Sequence, residues 1–234
     1  MRTAVLLSGQ IRNARDASTS IKEHIVDKYN ADVFVETWRT TPNIISYAGH
    51  NIPDDMTLDE VDRVYSPKMM RVEDFDNSRL MESIRNNLPT NKTGYNGEVE
   101  ESTVMANVFA MYYKIMRANE MREEYERINN IKYECIIRLR FDLKFDNFPV
   151  INPEANTVYI PNGSDWRGGV GDLVAVSDRK AMSVYSDVYN WLYRYNEMGH
   201  GLHPESILRK HLEFNKLKIE RFPCNFYLRG HPVV

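Results

Sequence analysis

The sequence predicts an α/β protein with a mostly parallel central sheet flanked by helices, and three features predict it. Residues 3–8, TAVLLS, form a continuous apolar run stopped by Gly9, the pattern of a strand buried on both faces. A helical stretch over about 15–29 and a second apolar run, ADVFVETW at 31–38, follow it. Strand, helix and strand in that order make a βαβ unit, which favours parallel pairing under a helical crossover. A long helix over 102–129 then leads into a further apolar strand at 133–141.

Each element has its local reason. In the first helix Ile21, Ile25 and Val26 supply a buried face. A short helix near 57–65, a strand near 68–73 (KMMRVE) and a helix over 77–87 are expected next. The polar, glycine-containing stretch 88–101 reads as a long loop. In the helix over 102–129, Ser102 is placed to cap and Val104, Val108, Met111, Ile115 and Met116 make an apolar stripe before charged residues take over. Downstream come strands near 157–160 and 172–176, joined by the loop PNGSDWRGGVGD (161–172). A helix over 178–195, a helix beginning at Pro204 and a strand near 217–222 complete the chain. No internal repeat or linker breaks it, so one domain over 1–234 accounts for the length.

Composition limits the partners. The 234 residues carry a net charge of -3 with 42% hydrophobic and 27% charged residues, which is ordinary for a soluble globular chain and gives no nucleic-acid footprint. No apolar run is long enough for a membrane span, and the start of the chain does not read as a secretory signal. Two cysteines, Cys135 and Cys224, read as buried thiols, so the expected compartment is cytoplasmic.

In a parallel sheet, ligands bind where loops leave the carboxyl ends of strands, and three places qualify. The first is Ser8-Gly9-Gln10-Ile11-Arg12. Gly9 admits a close backbone approach, Ser8 and Gln10 offer hydrogen bonds to a base or ribose, and Arg12 offers charge to a diphosphate. The alternative is a tight turn with a surface arginine. This is not G-x-G-x-x-G, so a dinucleotide-binding dehydrogenase is disfavoured.

The second is CIIRLRFDL, 135–143. Cys135, Ile136 and Ile137 seat the strand in the core, and the alternating Arg138, Arg140 and Asp142 are expected to emerge from it at the carboxyl end. Arg138 and Arg140 suit phosphate oxygens, and Asp142 suits Mg²⁺ or Mn²⁺. A structural salt-bridge ladder is the other reading.

The third runs from 161 to 205. Gly163, Gly168, Gly169 and Gly171 suit a backbone close to a ligand. Asp165 and Asp172 suit sugar hydroxyls, and Trp166 offers a flat apolar face. A glycine-rich hairpin with a packed tryptophan is the alternative. Glu205, beside Pro204 at a helix start, is either a helix-start device or a general base. His231, among six histidines, is of the sort that can fold back onto a metal, the commoner alternative being a lone histidine with no such role.

Together these residues resemble a family of glycosyltransferases from bacterial polysaccharide loci and large DNA viruses. The resemblance rests on Ser8-Gly9-Gln10-x-Arg12, on Thr37-Trp38 closing a strand, and on Arg138-x-Arg140-x-Asp142 after a long helix. Gly171-Asp172 and Pro204-Glu205 complete it, and it covers most of the chain, with 43–100 matching loosely. It implies a GT-A fold, a single Rossmann-like domain whose part from about 1 to 145 binds nucleotide and whose part from about 146 to 234 binds acceptor. The donor is a nucleoside-diphosphate sugar, expected to be a UDP-sugar, and the acceptor a glycan or glycoprotein; in a viral setting the compartment is the host cytoplasm. Such enzymes usually hold a divalent metal with Asp-x-Asp. Here Arg140 stands for the first acid, so Asp142 with help from His231 would ligate Mn²⁺ or Mg²⁺, or the arginines would replace the metal. Glu205, then Asp172 or Asp165, is the expected catalytic base. Two other classes remain compatible with the sequence: a nucleotidyltransferase or other nucleotide-sugar enzyme, and a non-catalytic nucleotide- or carbohydrate-binding module.

Overall fold

A computed structural model describes residues 1–39, 55–74, 82, 101–228, 231 and 232. The expected helix over 77–87, apart from residue 82, and the expected loop over 88–101, apart from 101, lie outside the described residues.

Seven strands form the main sheet: β1 Thr3–Gly9, β2 Asp32–Trp38, β3 Met69–Glu73, β4 Cys135–Leu139, β6 Thr157–Pro161, β7 Val174–Ser177 and β8 Lys218–Phe222, in the spatial order β3-β2-β1-β4-β7-β6-β8. The first four run parallel, Val5 pairing with Val33 on one side and Ile137 on the other. β7 runs antiparallel to both β4 and β6, and β6 is parallel to β8, so the sheet is mostly parallel but mixed. The antiparallel turn at β7 departs from an all-parallel reading, because the apolar pattern of a doubly buried strand is the same in either direction. A second, three-stranded antiparallel sheet joins β5 Leu143–Phe145 to β9 Phe226–Leu228 and β10 His231–Pro232, and the sequence pattern gave no hint of it.

β1 is buried throughout, and its side chains alternate between two cores. Ala4 and Leu6 face a layer built by the helices α3 Glu101–Asn129, α4 Arg179–Ser186, α5 Val188–Glu197 and α6 Pro204–Phe214. Val5 and Leu7 face a layer built by the helices α1 Ala14–Ile21 and α2 Leu58–Tyr65 with β5 and β9. The helix α1 continues as a wider turn over Lys22–Asp27, and Asp55 accepts the first backbone N–H at 2.7 Å, closing its amino end from a distant segment. Thr57 and Glu60 form the reciprocal capping pair of α2.

Two local expectations change. The helix α3 already runs at Glu101, so Ser102 lies inside it and not at its start. Within the same helix Lys114, Arg122 and Glu126 are buried. The stretch 178–195 is two helices meeting at Asp187, whose φ and ψ of -83° and 1° leave the helical region. Cys135 and Cys224 are both buried free thiols, and burial pushes each up to about 12. No helix among the described residues is long and apolar enough to cross a membrane.

Candidate active site at the carboxyl ends of β1 and β4

The crossover from β1 leads to β2 on one side, while the chain returns from β3 through α3 to β4 on the other. The carboxyl ends of β1 and β4 therefore flank the point where strand order reverses, which is where an open α/β sheet has its crevice.

On the β1 side, Gly9 has φ of 114°, a backbone conformation that L side chains rarely adopt, with open space where a Cβ would sit. Its carbonyl accepts the Thr37 hydroxyl at 2.8 Å, which locks the ends of β1 and β2 together. Ser8 is not displayed to a ligand. It is buried, and its Oγ accepts Arg138 Nε at 3.2 Å. Arg12 follows, half-buried, with its Nη1 3.4 Å from Gln10 Oε1.

On the β4 side the row of charges is split. The strand ends at Leu139, so Arg140 and Asp142 belong to the turn before β5 and not to a strand face. Arg138 remains inside β4 and is 1% exposed, which overturns the expectation that all three charges leave the core. Its Nη1 donates to the carbonyl oxygens of Asp172 and Leu173, and with Ser8 these partners offset the cost of burying a guanidinium. Arg138 thus ties β1 and β4 to the segment entering β7.

Arg140 and Asp142 form a two-point fork, Nε to Oδ1 at 2.8 Å and Nη2 to Oδ2 at 2.6 Å. Arg12 Nε reaches the same Oδ2 at 3.5 Å. Two guanidiniums from two strand ends are thus held on one buried carboxylate.

The acids come from further along the chain. Asp172 is buried just before β7, and burial together with the nearby Glu205 carboxylate pushes its acid up to about 6, against the pull of Arg138 and Arg140. Glu205 lies in the first turn of α6, where the helix dipole favours its anion, and its side chain is 20% exposed. His203, immediately before that helix, places Nδ1 3.0 Å from Glu205 Oε2. The helix start is fixed from two sides: Val170 donates its N–H to the Glu205 carbonyl at 3.0 Å, and the Tyr112 hydroxyl donates to the Pro204 carbonyl at 2.8 Å.

Two glycines of the 161–172 loop, Gly169 and Gly171, serve the chain's own packing. A Cβ at Gly169 would stand 2.2 Å from the Glu205 carbonyl carbon, and one at Gly171 would stand 2.1 Å from Ser164 Oγ. Asp165 has both oxygens committed within this region, Oδ1 to the Gly171 N–H at 2.9 Å and Oδ2 to Arg221 at 2.6 Å. Trp166 is exposed. The structure therefore groups Arg12, Arg140, Asp142, Asp172 and Glu205 and leaves Asp165 anchored in its loop. The backbone of His231, in β10, pairs with Leu228 of β9, and its side chain lies outside what the structure describes.

Asp142 does not fit the role of a metal ligand as placed, since both of its oxygens face guanidiniums. Among the described residues no set of three or more His, Cys, Asp or Glu side chains is arranged to hold a metal ion.

Sequence reasoning missed two features beside this site. Tyr112 lies four residues after Val108 on the buried side of α3, a position that reads as plain core. The second is an ionic cluster at the carboxyl ends of β2 and β3. Lys114 is fully buried and donates to Glu36 at 2.6 Å and Glu73 at 2.7 Å. Its Nζ lies 3.9 Å from the Trp38 ring, which stacks on Tyr113 at 5.7 Å. A carboxylate inside an otherwise apolar strand, Glu36 in DVFVETW, was the available signal.

No protein-family model matches the chain, and comparison with curated proteins gives no match.

Proposed function

We propose that the chain is a glycosyltransferase that takes a nucleoside-diphosphate sugar, with its diphosphate at the carboxyl ends of β1 and β4 in a GT-A-type domain. The observation that carries the proposal is the pairing of Arg12 and Arg140 across Asp142 at the strand-order switch, next to the Asp172 and Glu205 carboxylates. Sugar transfer from such a donor needs positive charge where the leaving diphosphate develops negative charge, and a base near the attacking hydroxyl.

In the transfer step the acceptor hydroxyl oxygen bonds to the anomeric carbon while the bond from that carbon to the diphosphate oxygen breaks. Its electron pair leaves with the nucleoside diphosphate, and the hydroxyl proton passes to a carboxylate. Arg12 and Arg140 neutralise the leaving group. Asp142 holds both guanidiniums at one spacing, so little reorganisation accompanies the charge movement. Guanidiniums are taken as the counter-charge in preference to a divalent ion because Asp142 is saturated by them. Glu205 is the base, since it is the more exposed of the two acids, and its partner Asp172 is buried. A UDP-sugar to a glycan or glycoprotein remains the expected donor and acceptor class.

The test is release of nucleoside diphosphate from a panel of nucleotide-sugars, with and without EDTA. Glu205→Gln is expected to lower turnover about 10²–10⁴-fold while leaving donor binding in place. Arg140→Met is expected to weaken binding of the free nucleoside diphosphate. Pyrophosphate release from a nucleoside triphosphate would assign the chain to nucleotidyl transfer instead, and binding with no turnover would make it a binding module. Activity abolished by EDTA and restored by Mn²⁺ would reject the arginine-only neutralisation.

A further inference from the structure

The opposite end of the central strands carries a cleft of about 600 Å³ lined by Glu123, Glu126, Arg127, Lys132, Arg179 and Lys180 among others. Topology separates it from the candidate active site. The helix α3 leads into the amino end of β4, and α4 follows antiparallel β7, so the end of α3 and the start of α4 meet at the amino ends of the parallel strands.

The acids of this cleft are already consumed from behind. Arg122, fully buried, donates to Glu126 Oε2 at 2.6 Å and to Glu123 Oε1 at 3.0 Å. Glu126 Oε1 accepts the Tyr133 backbone N–H at 2.7 Å, and Glu123 Oε1 also accepts from Asn119 at 3.0 Å. Four cations remain at the mouth. Arg179 reaches Glu126 only at 4.0 Å, and Arg127, Lys132 and Lys180 have no ion-pair partner among the described residues.

The placement of two of these cations opposes the local preference. Arg179 and Lys180 are the first two residues of α4, where the positive end of a helix dipole disfavours cations, and the acid at that helix start is the capping Asp178, whose Oδ1 accepts the Ala181 N–H at 2.7 Å. A chain of net charge -3 concentrates four positive groups around one concavity.

We propose that this cleft binds a phosphorylated ligand, an anion carrying at least two negative charges. Guanidinium forks and ammonium groups match phosphate oxygens, and the volume accommodates a phosphorylated metabolite. The same chemistry is offered by a phosphorylated lipid headgroup. This site stands independently of the sugar-transfer reading.

The test is calorimetry of the whole chain with inorganic pyrophosphate at low salt, comparing the wild type with K132E/K180E and with Arg140→Met. Both lysines are exposed, so the double variant is expected to melt like the wild type. The expected result is pyrophosphate binding that K132E/K180E weakens at least about tenfold and that Arg140→Met retains. Equal binding by the wild type and K132E/K180E, or binding lost only in Arg140→Met, overturns the assignment. Sedimentation with vesicles of phosphatidylcholine alone and with phosphatidylinositol phosphate separates the sources. Vesicle binding abolished in K132E/K180E, without pyrophosphate binding, assigns the cleft to a headgroup. Absence of both kinds of binding in the wild type overturns the proposal.

Discussion

A Cβ placed on Gly169 would lie 2.2 Å from the carbonyl carbon of Glu205, so the glycine loop before β7 and the first turn of α6 are packed backbone against backbone. The same contact carries the hydrogen bond from Val170 to the Glu205 carbonyl. The Glu205 backbone is therefore approached this closely only because residue 169 has no side chain.

Gly169→Ala is expected to destabilise the fold by about 1–3 kcal/mol, the usual range for forcing extra volume into a packed interior. Denaturant unfolding measures the loss. Gly168→Ala makes an instructive contrast, because a Cβ there meets open space and only the φ of 70° opposes it. If Gly169→Ala unfolded at the wild-type midpoint, the backbone contact would not be rigid.

Arg138 is expected to be structural. Arg138→Met strands the Ser8 hydroxyl and the carbonyls of Asp172 and Leu173, and removes a positive charge beside buried Asp172. A loss of about 3–5 kcal/mol is expected from breaking such a buried set. Arg138→Lys is not expected to recover it, since one ammonium cannot span the three acceptors. Wild-type stability with impaired nucleotide binding would instead return Arg138 to the ligand.

Asp172 gives the protein a pH signature. Its folded acid lies near 6 and its ordinary value near 3.8, so between those limits the folded state binds more protons than the unfolded state. Stability is expected to rise as pH falls from about 6 to about 4, and to be lowest from this source above pH 6. Glu36, also raised by burial, contributes with the same sign. Asp172→Asn is expected to flatten this part of the profile and to stabilise the protein at pH 7 by about 1–3 kcal/mol. Chemical denaturation at a series of pH values provides the measurement, and an unaltered slope would contradict the assignment.

The ionic cluster at Lys114 makes a separable prediction. Lys114→Met leaves buried Glu36 facing no ammonium and is expected to cost about 3–5 kcal/mol. Replacing both members, Lys114→Met with Glu36→Leu, is expected to recover most of that loss, because neither charge is then stranded. A double-mutant cycle reads the coupling directly. Additive single effects would show that the two side chains do not share one energy.

The βαβ opening and the parallel set β1 to β4 were legible because doubly buried strands and amphipathic helices print their burial directly into residue type. TAVLLS, DVFVETW and CIIRL are largely apolar runs, and the structure buries nearly all of them. The end of the β4 run was read less well. Alternation in RLRFD looks like a strand face, but pairing with β7 extends only to Leu139, so one arginine stays inside and the other turns out. Pairing partners decide where a strand stops, and they are distant in sequence. The same reason hid the direction of β7 and the small sheet of β5, β9 and β10.

Residue types at the strand ends and their order were readable along the chain: a glycine closing β1 with an arginine beyond it, two arginines and an aspartate about β4, and two later acids. Tertiary structure decided which of these meet. Arg12 and Arg140 share Asp142, Arg138 is sealed against Ser8, Asp165 is tied to Arg221, and Asp172 is raised by burial and then by its proximity to Glu205. The physical reason is range. Propensity and periodicity act within a few turns of chain, whereas burial of an ion and the field of its neighbours depend on contacts between segments tens of residues apart.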